Sequence, residues 1–117
     1  FPNLKFCFFE AGGSWLPWAM YTLDRVYGIA PQCARCEIEP SEHIRQSCLV
    51  AVEPDEQTLA GAVQSIGSKN FIIGSDYPHP PSTYPNTAAG IEEMAGLSRE
   101  AKDDILGRNL QELFAIA

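Results

Sequence analysis

Positive charge is scarce in this sequence. Eight Lys and Arg residues stand against 15 Asp and Glu, for a formal net charge of −7. No basic patch exists to neutralise phosphates, which argues against nucleic acid as a partner. The same balance disfavours docking on an anionic membrane. Long apolar runs are missing too: none approaches the roughly 20 residues that span a bilayer. Histidine is limited to His43 and His79, so no His-x-His pair is present. Cysteine occurs as Cys7, Cys33, Cys36 and Cys48. Cys7 and Cys48 sit inside apolar runs and are expected to be buried thiols. Cys33-Ala34-Arg35-Cys36 has the spacing of half a zinc site or a redox pair. No second Cys pair or nearby His pair completes a tetrahedral site, however, and the motif does not open a helix after a strand. Neither role is expected of it. The opening Phe1-Pro2-Asn3-Leu4-Lys5 has no Met and no signal-peptide layout, and reads as the interior of a longer protein in a cytoplasmic setting. The 117 residues suffice for one domain, 1–117.

The stretch around which the rest is arranged runs from Asn70 to Pro80. Phe71, Ile72 and Ile73 form an unbroken apolar run, β-branched and aromatic, as in a strand buried on both faces. Gly74, Ser75 and Asp76 follow, and Pro78 and Pro80 prevent the strand from continuing. A carboxylate is thus delivered to the carboxyl edge of a parallel strand, where α/β folds place ligand chemistry. The bland reading is an Asp that caps the following turn.

Taken in order, Leu4 to Phe9 reads as a strand ending in Glu10-Ala11-Gly12-Gly13, a second carboxylate before a flexible turn. Ser14 is placed to cap a helix to about Tyr27, with an apolar stripe of Leu16, Ala19, Met20, Leu23 and Val26. Trp15 and Trp18 stand near its start, either to line a substrate mouth or, as large aromatics more often do, to pack. Tyr27 to Pro40 reads as a loop, and Pro40 to Ser47 as a short helical turn carrying His43 on a solvated face. Cys48 to Val52 is the next strand, with Glu53 at its end. Asp55 is placed to cap a helix from Glu56 to Ile66, which Gly67 stops. After Phe71 to Gly74, Pro80 to Pro85 forms an extended loop. Asn86 and Ser98 are placed to cap two further helices, and Leu110, Leu113 and Phe114 form a last helical face. Strands alternating with helices imply right-handed crossovers and a parallel sheet, an α/β arrangement of about three strands. Three strands are too few for a closed barrel of about 250 residues.

Gly74-Ser75-Asp76-Tyr77-Pro78-His79-Pro80 resembles the last-strand signature of the amidohydrolase superfamily, in particular the amidohydrolase-related branch that includes the aminocarboxymuconate-semialdehyde decarboxylases. Pro2 to Phe6, the Glu10 turn, Glu53-Pro54 and Asn109-Leu110 resemble further family landmarks in the same order. The resemblance covers essentially the whole chain and implies a partial TIM-type barrel, strand six through strand eight with the closing helices. It implies a divalent metal, often zinc, at the mouth of the complete barrel, a small-molecule substrate, and metal-assisted hydrolysis or nonoxidative decarboxylation. It places Asp76 as metal ligand and proton handler, and Glu10 where many relatives carry a His. A carboxylate there cannot act as a neutral imidazole; it serves as ligand, proton carrier or electrostatic partner, or simply bonds its own Gly-rich turn. His79 and Glu53 stand beside the site with Trp15, Glu53 being equally suited to a helix start. The ligands that relatives draw from strands one and five have no counterpart here. The expectation is therefore a piece of a metal-dependent hydrolase or decarboxylase, inactive alone and binding no metal tightly. The alternative is a noncatalytic module that assembles with itself or another chain. Raw sheet edges predict association in either case, as a homo-oligomer or with the missing amino-terminal part of a barrel.

Overall fold

A computed structural model of the chain describes residues 3–30, 32 and 37–115. Three short apolar runs make the sheet: β1 (Phe6–Phe8), β2 (Cys48–Val52) and β3 (Phe71–Ile73). They lie in the order β1-β2-β3 and pair in parallel, with Phe8 opposite Val50 and Val52 opposite Ile73. This is the expected three-stranded parallel arrangement. Successive side chains alternate across a strand. Val50 and Val52 therefore join Phe71 in the core, while Ala51 turns to the opposite face and lines a cleft.

The helices are α1 (Trp15–Ile29), α2 (Pro40–Ser47), α3 (Leu59–Ile66), α4 (Thr87–Glu93), α5 (Arg99–Asp103) and α6 (Asn109–Phe114), with a π-helical turn at Asp104–Arg108 joining the last two. Leu16 and Met20 of α1, Leu59 and Ala62 of α3, Ile91 of α4 and Ile105 of the π turn close over β2 and β3. Phe71 is wholly buried at their centre. Burying a side chain of that size is worth about 1.5–3 kcal/mol.

Buried polar groups fix the strand starts. The Asn70 amide donates to the carbonyls of Ile44 and Cys48 at 3.1 and 2.7 Å, tying the end of α2 to the start of β3. The Asn109 amide donates to the carbonyls of Ser68 and Phe71 at 2.9 and 2.7 Å, anchoring α6 to the same strand. Asp104 is 1% exposed and accepts from Ser68 Oγ at 2.6 Å, Lys69 Nζ at 3.1 Å and Arg108 Nη1 at 2.9 Å. Burial alone would raise its pKa; the hydrogen bonds and the two cations outweigh that and hold it below the ordinary carboxylate value.

Several local expectations change. Ser98 caps its helix as expected, accepting from the Ala101 amide at 3.1 Å. Ser14, Asp55 and Asn86 do not cap by their side chains: Ser14 bonds Thr58 Oγ1 instead, and α3 starts at Leu59 behind Thr58. The turn before α3 is taken up by the Glu56 carboxylate, which reaches back to two backbone amides. On α1 the stripe is half covered: Leu16 and Met20 are buried, but Leu23 and Val26 are 45% and 57% exposed. Cys7 is exposed and Cys48 half-buried rather than both buried, because β1 is the sheet edge and nothing among the described residues covers its outer side. Burial and the neighbouring Cys7 push the Cys48 thiol up. Cys33 and Cys36 lie outside the described residues.

Candidate functional site

Parallel strands aim their carboxyl ends one way, so the loops after β1, β2 and β3 meet at one edge. There they bound a half-open cleft of about 670 Å³, whose charged lining residues are Glu10, Glu53, Asp55, Glu56 and Asp76. Ala51 and Gly74 form part of its floor, and Phe9 and Tyr77 its apolar sides. No lysine or arginine lines it among the described residues. Such a cleft presents a negative field that concentrates cations.

Asp76 and Glu10 come to this edge from opposite ends of the sheet order, and each is delivered by an unusual backbone. Glu10 has φ 56° and Asp76 φ 53°, the left-handed region that non-glycine residues seldom occupy. Positive φ turns each chain sharply out of its strand, so that the carboxylate faces the cleft instead of continuing the pleat. The Asp76 turn is held by its own loop: the His79 amide donates to the Asp76 carbonyl at 2.8 Å, and Ser82 Oγ and the Thr83 amide donate to the Ser75 carbonyl at 2.6 and 3.2 Å. That loop also sets Tyr77 against Tyr84, with ring centroids 4.7 Å apart.

The result is a three-residue cluster. One carboxylate oxygen each from Glu10 and Asp76 and one ring nitrogen of His79 all lie within 4.8 Å of one another. His79 Nδ1 is 3.4 Å from Asp76 Oδ1, with the His79 side chain 71% exposed and that of Asp76 20%. Two carboxylates and an imidazole converging at an open edge suit a divalent cation with free coordination positions.

Glu53 stands at the same edge. Its partial burial, with Asp55, Asp76 and Glu56 around it, raises its pKa, and a hydrogen bond to Thr83 offsets part of that rise. Trp15 is placed elsewhere: it packs against the core, edge-on to Phe8 at 5.4 Å, and is not among the cleft-lining residues. Trp18 is 68% exposed, and His43 is exposed on α2. Glu56 went unnoticed in the sequence. Its carboxylate accepts from the Gly13 amide at 2.7 Å and from the Glu53 amide at 3.1 Å, joining the first two strand-end loops. An acid just before an apolar helical run resembles any helix-start residue, so nothing local separated it from Asp55.

A parallel sheet flanked by helices, with carboxylates at its carboxyl edge, is the arrangement of a (β/α) barrel, here in part. The amidohydrolase family model matches residues 1–116, and the chain belongs to that family. It is 31% identical to the 2-amino-3-carboxymuconate-6-semialdehyde decarboxylase of Dictyostelium discoideum, over 98% of this chain and 32% of that protein. Among solved structures it resembles the 5-carboxyvanillate decarboxylase of Sphingomonas paucimobilis, with a TM-score of 0.77 at 22% identity, over 100% of this chain and 35% of that one. It also resembles a dihydroxybenzoic acid decarboxylase of a Polaromonas species, solved with manganese and the inhibitor 2-nitroresorcinol, with a TM-score of 0.66 at 20% identity over 97% of this chain and 34% of that one. The chain spans about a third of the length of the curated relatives it matches. No helix among the described residues is long and apolar enough to cross a membrane.

Proposed function

We propose that this chain supplies the strand-six to strand-eight part of a divalent-metal centre in an amidohydrolase-type enzyme acting on a small molecule. The reaction is nonoxidative decarboxylation or metal-assisted hydrolysis. The observation that carries this reading is the convergence of Glu10, Asp76 and His79 within 4.8 Å at the carboxyl edge. These three residues would hold the cation. When bound, it supplies Lewis-acid polarisation of the substrate and offsets negative charge developing there.

The chain's own residues do the rest. Asp76, the least exposed of the three, takes and passes the proton, with His79 Nδ1 beside it to receive a hydrogen bond or share one. Glu10 works from the opposite loop as a ligand or charge partner. Glu53, its proton affinity raised by burial and the neighbouring carboxylates, lines the cleft wall beside them. The all-acidic lining would repel a carboxylate-bearing substrate, and a cation at the cluster reverses that local sign. That the similar proteins named above are decarboxylases supports the enzymatic reading over a noncatalytic module. The manganese in one of them supports a divalent cation and gives no preference to zinc. Three ligands leave coordination positions to be filled, so activity is assigned to the chain together with further barrel strands or a second copy, in a cytoplasmic setting, and not to the chain by itself.

The test is elemental analysis of the purified chain after equilibration with manganese or zinc and buffer exchange. Retained metal that falls at least tenfold in Asp76→Asn is the expected result. Retention indifferent to that substitution would sink the assignment.

A further inference from the structure

We infer that Glu56 is the positioning residue of this cleft: by tying the first two strand-end loops together, it holds Glu10 where it shares a cation with Asp76 and His79. The inference rests on the cation reading above and adds a residue outside the three ligands. Glu56 Oε2 accepts from the Gly13 amide at 2.7 Å, and Glu56 Oε1 from the Glu53 amide at 3.1 Å. One carboxylate thus satisfies two backbone donors on separate loops.

The turn it grips has little freedom to adjust. Gly12 has φ +61°, and a Cβ there would stand 3.2 Å from Glu56 Oε2. A Cβ on Gly13 would meet Val52 Cγ1 at 2.8 Å and Phe71 Cε1 at 2.9 Å, so this glycine is seated directly on the core. Glu10 lies just upstream with φ 56°, a conformation that costs energy and persists only when its surroundings impose it. The packing of Gly13 and the two bonds to Glu56 are those surroundings. Carboxylate is the required chemistry: a Gln keeps one acceptor oxygen, but its amide nitrogen cannot accept from the second N–H.

The test uses the full chain and two magnetic-resonance readouts, amide exchange and the side-chain carboxyl carbon shifts on adding zinc, a diamagnetic cation whose effect is confined to the groups that bind it. In Glu56→Gln, the Gly13 and Glu53 amides are expected to exchange at least tenfold faster. Zinc should still shift the Asp76 carboxyl carbon but no longer that of Glu10, a selective loss that general destabilisation does not produce. Asp55→Asn, which removes a charge of the same sign from the same cleft, should leave the Glu10 shift in place. The inference is overturned if Glu10 shifts equally in Glu56→Gln, if Asp55→Asn also abolishes its shift, or if the two amides keep their protection. Zinc that shifts neither Glu10 nor Asp76 in the unsubstituted chain overturns the cation reading and this inference with it; the other three outcomes overturn this inference alone.

Discussion

At the scale of single residues, the cleft gathers negative charge that the fold must tolerate. Glu53 shows the cost most clearly, its pKa being raised by burial first and then by Asp55, Asp76 and Glu56. A carboxyl whose folded pKa lies above its unfolded value contributes stability that is present below the unfolded pKa, about 4.3, and is lost as pH rises through the folded value. At neutral pH the ionised Glu53 therefore works against folding. Glu53→Gln is expected to unfold at a higher temperature than the unsubstituted chain at pH 7, with the two curves converging below about pH 4. Thermal melts at both pH values check it; a Gln variant that is less stable at pH 7 would mean that Glu53 is held by favourable contacts. The place of Asp76 at the cleft was legible because a buried run, a Gly-Ser step and two prolines isolate it in the sequence. The positive φ of Glu10 and Asp76 was not, since no side-chain pattern marks a non-glycine residue forced into that region.

At the scale of elements, the strands were readable and the helix ends less so. Three apolar runs marked the three strands: β2 and β3 are largely buried, and β1, though exposed at the sheet edge, is equally free of polar alternation. Cap positions failed where a tertiary partner claimed the segment. Glu56 turns back to the strand-end loops, so α3 begins at Leu59 and Asp55 caps nothing. The last helices depend on Asp104, which gathers Ser68, Lys69 and Arg108 at the π turn beneath β3. Its pKa is depressed, so its contribution is present above the unfolded carboxyl value near 3.9 and is lost as pH falls through the folded one. Asp104→Asn is expected to cost about 1–3 kcal/mol at pH 7, since Lys69 and Arg108 remain partly exposed and rehydrate. The difference should be smaller at pH 3 than at pH 7, since the contribution fades as pH falls below the unfolded value. Denaturant unfolding at both pH values measures it, and an equal cost at both would show that packing rather than charge is responsible.

At the scale of the whole molecule, the sheet is open. β1 carries Phe6 and Phe8 at 51% and 39% exposure, and α1 beside it leaves Val26 and Ile29 at 57% and 73%. An unpaired parallel edge with apolar neighbours favours further strands or copies. Sedimentation of the full chain is expected to show dimers or larger species; a monomer across the concentration range would contradict that. The half-covered stripe of α1 follows from the same openness: the 3.6-residue period marks which residues are apolar, but not which of them a neighbouring element covers. The central claim is that the carboxyl edge of this sheet is a cation site, and anomalous scattering from crystals grown with manganese tests it most directly. The account predicts a single strong peak in coordinating reach of Asp76 and Glu10, with His79 turned toward it. A peak elsewhere on the molecule, or a cleft without one at saturating manganese, would contradict it.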